Sequence, residues 1–418
     1  MLWSAGSLAC SGIRRKHPRN RSGINYFRGS STLAVILRRG GSEMAKLLVC
    51  AGEPSGDLHA ARLVKECLQI DPTLQIDGIG GERLAASGAV LRADLADRAV
   101  MGWLPVLGQL RSILRHASGF VEELLRDPPD QLIVIDYPGL HIHLATIARR
   151  LGIPVTYYIC PQVWAWAPWR IRRIAACADQ LLVVLPFEER IYGPFHPRVH
   201  HVGNPVFDSL ASAEPIADLE GSSGNPLLAL LPGSRKQEVR AGLPALLEAA
   251  RILRAKYPDL ETWISCQRQN LIPEIEALVK DDPDARIHVG DAGVLQARAR
   301  LAIVCSGTAT LETAWHGVPM VVAYPANEVQ RSIYSLLGVA PYFSLINLFA
   351  GRKLVPELLF EPGDGAAIAR LAAPLLDDQN ATDLVAELNR IREQKFHPGA
   401  SRKAAQQILA LLGEDSNR

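Results

Sequence analysis

The stretch KLLVCAGEPSGDLHAARLVKECL, Lys46 to Leu68, decides how the rest of the chain is read. It opens with a short apolar run, Leu47–Cys50, and turns through AGEPSGD. It then enters a segment with Leu63, Val64, Cys67 and Leu68 on one helical face. A buried strand, a glycine-rich loop and an amphipathic helix in that order make up the repeating unit of a parallel sheet covered by helices. Further apolar runs bounded by Pro or Gly lie at Leu132–Ile135, Val155–Ile159 and Leu181–Leu185. After Ala211–Pro226, rich in Ser, Gly, Pro and acids, a second series follows: Leu227–Leu231, Thr262–Ser265, Ile287–Val289, Leu301–Cys305 and Pro319–Ala323. The pattern predicts an α/β protein with two Rossmann-like domains, residues 44–210 and 211–375, each with its own parallel sheet. Residues 376–418 are expected to be helices that pack back on the first domain.

Composition limits the function classes. The 418 residues are 48% hydrophobic and 21% charged, enough apolar material for two cores. The net charge of +2 is unevenly spread. Residues 1–43 hold eight Lys and Arg against Glu43, which leaves −5 for the remainder. An acidic body is a poor nucleic-acid binder, because neutralising phosphates needs surplus cations. The seven cysteines show no CxxC pair or metal-ligand spacing and read as reduced thiols of a cytosolic protein. The basic segment 1–43 fits an organellar presequence, but we favour a start at Met44, directly before the first strand. Its apolar core, Leu33 to Leu37, is too short to cross a bilayer.

In parallel sheets ligands bind where loops leave the carboxyl ends of strands, and four such loops carry chemistry. Ala51–Asp57 reads as an anion-binding turn or as a helix start capped by Ser55 or Asp57, and Glu53 would repel a pyrophosphate. In LLPGSRKQEV, Gly233 and Ser234 allow close backbone approach, and Arg235 offers a planar fork to a phosphate. In CSGTATLETAWHG, the backbone of Gly307, Thr308 and Ala309 faces an anion. Glu312 there either offsets the helix dipole or accepts the hydroxyls of a ribose. In VIDYPG, Asp136 ends an otherwise hydrocarbon strand, either pinned by backbone or exposed as a base. No metal is expected: the lone D-x-D, Asp282 to Asp284, contains Pro283 and reads as a turn. A departing diphosphate would then rely on Arg235 and helix N-termini.

Two aromatic segments remain. CPQVWAWAPWRIRRI, Cys160 to Ile174, packs Trp164, Trp166 and Trp169 beside Arg170, Arg172 and Arg173. Because Pro161 follows a strand at the same sheet edge as Asp136, Pro161–Trp166 reads as a rigid cleft wall. In MGWLPVLGQLRSILR, Trp103, Leu107, Leu110 and Leu114 form one helical face beside Arg111 and Arg115, either core or, with Leu104, a membrane or acyl-chain contact.

Taken together these residues resemble the lipid-A-disaccharide synthase family over Lys46 to Leu412. The resemblance rests on AGEPSGD, AVMGWLPVLGQL, VIDYPG, PQVWAW, LPFE, LLPGSR with Glu238, SGTATLE, PMVVAY and SLINLFAGRKLVPELL in this order. It implies a GT-B fold, with an acceptor domain followed by a UDP-sugar domain, and an inverting, metal-independent glycosyl transfer without cofactor. The implied substrates are acylated: UDP-2,3-diacylglucosamine as donor and 2,3-diacylglucosamine 1-phosphate as acceptor, giving a β-1,6 disaccharide and UDP. It further implies Asp136 as base, Arg235 on the diphosphate, and Glu312 with Ser306, Gly307 and Thr308 on the nucleotide. Glu53, Ser55 and Asn347 become polar residues of the cleft. The implied location is cytoplasmic, on the inner membrane's lipid surface, and a homodimer stays open. Two positions depart from the family: His141 stands where Asn is common, and Asn204 where many relatives have His. Either is expected to tune acceptor fit. The rivals are another UDP-GlcNAc-handling GT-B enzyme, such as an epimerase, and a non-catalytic nucleotide- or RNA-binding scaffold.

Overall fold

Strands that bury both faces must be apolar along nearly their whole length, and the central strands here are. In QLIVI (β4, Gln131–Ile135) and LLALL (β8, Leu227–Leu231) every residue is buried. The computed structural model describes residues 44–93, 120–122, 124–165, 167–213, 219–328, 331 and 341–416. The first sheet also contains β1 (Lys46–Ala51), β2 (Gln75–Ile79), β3 (Val90–Ala93), β5 (Val155–Tyr158), β6 (Gln180–Val183) and β7 (Val199–His201). The second contains β9 (Glu261–Cys266), β10 (Ala285–Val289), β11 (Leu301–Val304), β12 (Met320–Pro325) and β13 (Glu357–Phe360). Their orders are β3-β2-β1-β4-β5-β6-β7 and β10-β9-β8-β11-β12-β13, and every pairing is parallel.

This topology places the site. In each sheet the chain starts centrally, runs outward to one edge, then returns to build the other half. The reversal opens a crevice between β1 and β4, and another between β8 and β11. The last residues of these strands pair directly, Ala51 with Ile135 and Leu231 with Val304. The four loops singled out in the sequence are therefore the four that leave the two switch points.

Four strands escaped the search for apolar runs because their burial is compensated. In β2, QIDGI, the buried Asp77 is paired with Arg92 at 2.5 Å and Lys46 at 3.5 Å. The short β3, β7 and β13 close the sheet edges, where fewer apolar residues are needed. A buried polar relay also crosses the first sheet. Gln131 Nε2 donates to Thr156 Oγ1 at 2.7 Å, and Thr156 donates to Gln180 Oε1 at 3.0 Å.

No helix or strand is assigned to the described residues between Ala211 and Leu227, as its linker composition suggests. The helix Asp378–Lys395 packs on the second sheet's helix Ala309–Trp315. The chain then crosses, and Ala400–Ser416 packs on Pro54–Ile70 of the first. At the crossing Phe207 stacks on Phe396 at 4.3 Å between centroids, with Phe349 edge-on to Phe396 at 5.8 Å. Asp208 fastens the last helix, its carboxylate accepting from the backbone of Gly399, Ala400 and Ser401 at 2.5, 3.1 and 2.8 Å.

The leader 1–43 and the stretch holding Trp103, Leu104, Leu107, Leu110 and Leu114 lie outside the described residues, as does Trp166. No helix among the described residues is long and apolar enough to cross a membrane. The six described cysteines are free and buried, and burial pushes the Cys67 thiol up to about 12.

Asp208→Ala should strip three N–H groups of their acceptor and cost roughly 1–3 kcal/mol. A urea-melt midpoint unchanged from the parent chain would show that the last helix is held by packing alone.

Candidate active site

The first lobe contributes a strained turn. Asp136 and Tyr137 follow β4 with φ of +50° and +47°, a left-handed region that disfavours both residues. Three hydrogen bonds hold this conformation. The Asp136 N–H donates to the Tyr158 carbonyl at 3.0 Å. The Asp136 carbonyl accepts from the Tyr157 hydroxyl at 2.8 Å and from His141 Nδ1 at 2.9 Å. A carbonyl only accepts, so His141 carries its proton on Nδ1. Burial drives His141 down to about 4, which keeps this neutral donor form. The departure at 141 thus serves the backbone under Asp136: His141 is 1% exposed and fixes the turn.

Gly52 explains the start of the AGE turn. A Cβ there would come within 2.4 Å of the Tyr137 ring, so only glycine lets the two loops lie side by side. Glu53 enters the cleft as the residue before the helix Pro54–Ile70, and Ser55 is exposed in its first turn. The expected capping does not occur. Asp57 instead accepts from Gly81, Arg83 and Leu84 N–H groups at 2.8, 3.2 and 3.3 Å, so it caps the next helix, Glu82–Ala85.

The second lobe contributes a cation and a cradle. Arg235 Nη2 approaches Glu53 Oε2 at 3.5 Å, and this contact joins the lobes across the cleft. Glu238 organises the loop behind it. Its Oε2 accepts from the backbone of Ser234 at 3.1 Å and Arg235 at 3.2 Å, and its Oε1 meets Arg235 Nη1 at 3.3 Å. Gly233, at φ +104°, has no room for a Cβ, which would fall 2.5 Å from that carboxylate. The N–H groups of residues 234 and 235 are therefore engaged internally, which leaves the exposed Arg235 fork as the donor this loop can offer an anion.

After β11, Gly307 takes φ +154° with nothing within 4 Å of a would-be Cβ, so the turn is open. Ser306 Oγ donates to the Phe343 carbonyl at 3.0 Å. The Glu312 carboxyl is held by Gln296 and Thr308. Burial, with Asp291 nearby, nevertheless raises it above the usual carboxylate range. Sequence reasoning missed Gln296, an ordinary helix residue until folding buries it to 1% exposure.

Asn347 requires correction as a cleft residue. It is fully buried, and its Oδ1 accepts from Leu354 and Val355 N–H at 2.7 and 2.9 Å. Its Nδ2 donates to the Val355 carbonyl at 3.0 Å and to Glu357 Oε2 at 2.9 Å. Glu357 in turn receives the N–H groups of Phe343 and Ser344 at 3.3 and 3.1 Å. The chain from Asn347 through Glu357 and Phe343 to Ser306 is a frame for the Ser306–Thr308 loop. Asn204 is likewise a cap, accepting from Val206 N–H at 3.1 Å, so its part in acceptor fit is replaced by a structural one. Asp282 is buried and paired with Arg254 at 2.5 Å, which suits the turn read there.

Among the raised carboxyls, Asp136 is the one at a switch point of the first sheet. Burial pushes its carboxyl up to about 6, Glu53 adds to this, and the Tyr137 N–H and Arg235 oppose it. A carboxylate poised there is basic enough to take a proton near neutrality. The Trp block splits in two. Trp164 is buried, donates to the fully buried Glu188 at 2.9 Å and meets Phe187 edge-on at 4.9 Å, while Trp169 is 67% exposed. Arg173 lies 3.4 Å from His143, and Arg172 over Phe195.

Against this geometry the comparisons with known proteins agree. A sequence profile described as "Lipid-A-disaccharide synthetase" matches residues 47–411. The chain belongs to the lipid-A-disaccharide synthase family. The lipid-A-disaccharide synthase of Geobacter metallireducens is 35% identical over 378 residues, covering 88% of this chain and 98% of its own. That of Syntrophus aciditrophicus is 38% identical over 385 residues, covering 88% and 97%. Among solved structures, the UDP-GlcNAc 2-epimerase of Neisseria meningitidis bound to UDP-GlcNAc aligns with a TM-score of 0.64 at 14% identity, over 87% of this chain and all of that one. The calicheamicin glycosyltransferase CalG4 aligns at 0.56 and 15% identity, over 88% and 99%. These distant structures establish the GT-B fold of two facing parallel sheets. The family establishes a glycosyltransferase of lipid A and lipopolysaccharide biosynthesis, and the epimerase reading falls away.

Asn347→Ala should leave the Leu354 and Val355 N–H groups unsatisfied and cost at least about 1–3 kcal/mol. UDP affinity should fall with it, by calorimetry on the folded variant. Unchanged stability and affinity would detach the frame from the Ser306–Thr308 loop.

Proposed function

We propose that this cleft joins two acylated glucosamine units, with Asp136 as the base and Arg235 as the grip on the leaving diphosphate. The donor is UDP-2,3-diacylglucosamine and the acceptor 2,3-diacylglucosamine 1-phosphate. Asp136 accepts the proton of the acceptor's 6-hydroxyl as O6 bonds to the donor's anomeric carbon. The bond from that carbon to the diphosphate oxygen breaks on the opposite face, and UDP departs with the electron pair. The anomeric centre inverts, giving the β-1,6 disaccharide 1-phosphate.

The observation carrying this reading is the paired placement of Asp136 and Arg235 at the two switch points, linked through Glu53. The strained, triply bonded turn holds the base in place before substrate arrives, so little is lost to reorganisation. Arg235 meets charge that grows on the departing phosphate, and hydrogen bonds to charged groups contribute about 1.5–3 kcal/mol. Glu53 next to Arg235 keeps the fork in the cleft when empty, and phosphate oxygens would replace it there. Ser306, Gly307, Thr308 and Glu312 receive the nucleotide, Glu312 through the ribose hydroxyls. No cofactor enters this reaction, and neither a metal nor nucleic acid is required by it. Because both substrates are acylated, the enzyme works at a lipid surface, as a peripheral protein on the inner face of the cytoplasmic membrane.

A base acts only when deprotonated, so kcat/KM should climb tenfold per pH unit below about 6 and level off above it. Glu53→Gln removes a charge that raises the Asp136 carboxyl, and should move this limb to lower pH. Asp136→Asn should lower kcat by about 10²–10⁴ while UDP binding persists. Near-normal turnover in that variant removes Asp136 from the mechanism.

A further inference from the structure

Beyond the nucleotide cleft, a cavity of about 550 Å³ opens between the lobes. This falls within the range of roughly 300–1,000 Å³ typical of small-molecule sites. Its apolar wall comes from both lobes: Trp164, Phe187 and Ile191 from the first, Tyr342, Leu348 and Phe349 from the second. The same cavity is lined by Arg190, His201, Lys395 and His397, and among the described residues none that lines it is acidic. Of the two carboxyls preceding Arg190, Glu188 is fully buried and committed to Trp164 and to the Val184 and Leu185 N–H groups, and Glu189 accepts from the His201 N–H at 2.6 Å. Arg190, Lys395 and His397 are exposed, and Lys395 is anchored on the apolar wall by donating to the Phe349 carbonyl at 2.6 Å.

Position matters as much as lining. Trp164, Phe187 and His201 leave the carboxyl ends of β5, β6 and β7, the same sheet edge from which Asp136 leaves β4. The cavity therefore lies along that edge on the β5–β7 side of Asp136. A hexose with its 6-hydroxyl at Asp136 would direct its opposite end into this space. An apolar chamber with a cationic lining fits a molecule that joins hydrocarbon to phosphate. Of the two substrates, only the acceptor places a monophosphate beside an acyl chain without a nucleotide that must occupy the second lobe's cradle.

We infer that this cavity is the acceptor's lipid-phosphate subsite. One acyl chain lies against Trp164, Ile191, Leu348 and Phe349, and the 1-phosphate is met by Arg190 and Lys395. This rests on the glycosyl-transfer reading and deepens it. The buried Trp164 gains a role there: its indole, fixed by Glu188, forms the chamber's rigid wall on the first lobe.

The test uses the full chain with 2,3-diacylglucosamine 1-phosphate in mixed detergent micelles. Arg190→Ala should raise the acceptor KM about tenfold or more and leave the donor KM within twofold. Leu348→Trp, which fills the chamber, should penalise a long-chain acceptor more than a short-chain one. An acceptor bearing a diazirine on its acyl chain should label peptides containing Pro186–Ile191 and Leu348–Gly351 in the wild-type chain. Label confined to other peptides overturns the inference, as does an unchanged acceptor KM in a folded Arg190→Ala variant. A donor KM that rises in place of the acceptor's also overturns it. A wild-type chain yielding no disaccharide by product mass would defeat the underlying reaction instead, so the two failures are distinguishable.

Discussion

Two consecutive left-handed residues, Asp136 and Tyr137, are the constraint on which the cleft turns. Each costs on the order of 1–2 kcal/mol against the ordinary backbone. They persist because the surroundings over-determine them. Tyr157 and His141 share one carbonyl, the Asp136 N–H is tied to β5, and the Tyr137 ring lies where only Gly52 leaves room. Relaxing this turn would carry the carboxyl away from its place at the sheet edge. Strain held by a packed, hydrogen-bonded neighbourhood is a common mark of a functional position.

The lobes divide the work. The first carries the half-buried Asp136 carboxyl and the apolar side chains of Trp164, Phe187 and Ile191. The second supplies charge compensation, through Arg235 steadied by Glu238, and a loop framed by Asn347 and Glu357. The chain's own path connects them. It crosses at an aromatic cluster around Phe207 and Phe396 and ends fastened by Asp208 to the lobe in which it began. Any opening or closing of the cleft must therefore work against that crossing as well as against the Arg235–Glu53 contact.

Much of this was legible before folding, and the exceptions have a common cause. Apolar runs bounded by turn residues located the central strands, and parallel topology put the four loops at their carboxyl ends. Two strands show why others escaped: β2 hides a compensated aspartate, and the edge strand β7 reads VHH. Among polar residues, Asp57, Asn204 and Asn347 were mistaken for groups facing a ligand or capping their own helix. Each instead accepts from backbone N–H groups: Asp57 at the start of the next helix, Asn204 at its own helix, and Asn347 at Leu354 and Val355. A motif shows that a polar side chain is needed, without showing whether its partner is a substrate or a peptide bond. The partners of Gln296 and His141 are set by packing, which leaves no periodic trace.

The order of apolar runs, glycines and charged loop residues alone settles an α/β chain of two sheets, the family, and the identities of Asp136, Arg235 and Glu312 as chemical candidates. These are local properties: hydrophobic periodicity, turn chemistry and motif order are written residue by residue. Folding alone decides which of them share a cleft and how basic Asp136 is. It also decides that Trp164 walls a chamber lined by cations from both lobes. The reason is distance. Burial, charge proximity and hydrogen-bond competition depend on groups such as Glu53 and Arg235, which lie 3.5 Å apart in space and 182 positions apart in the chain.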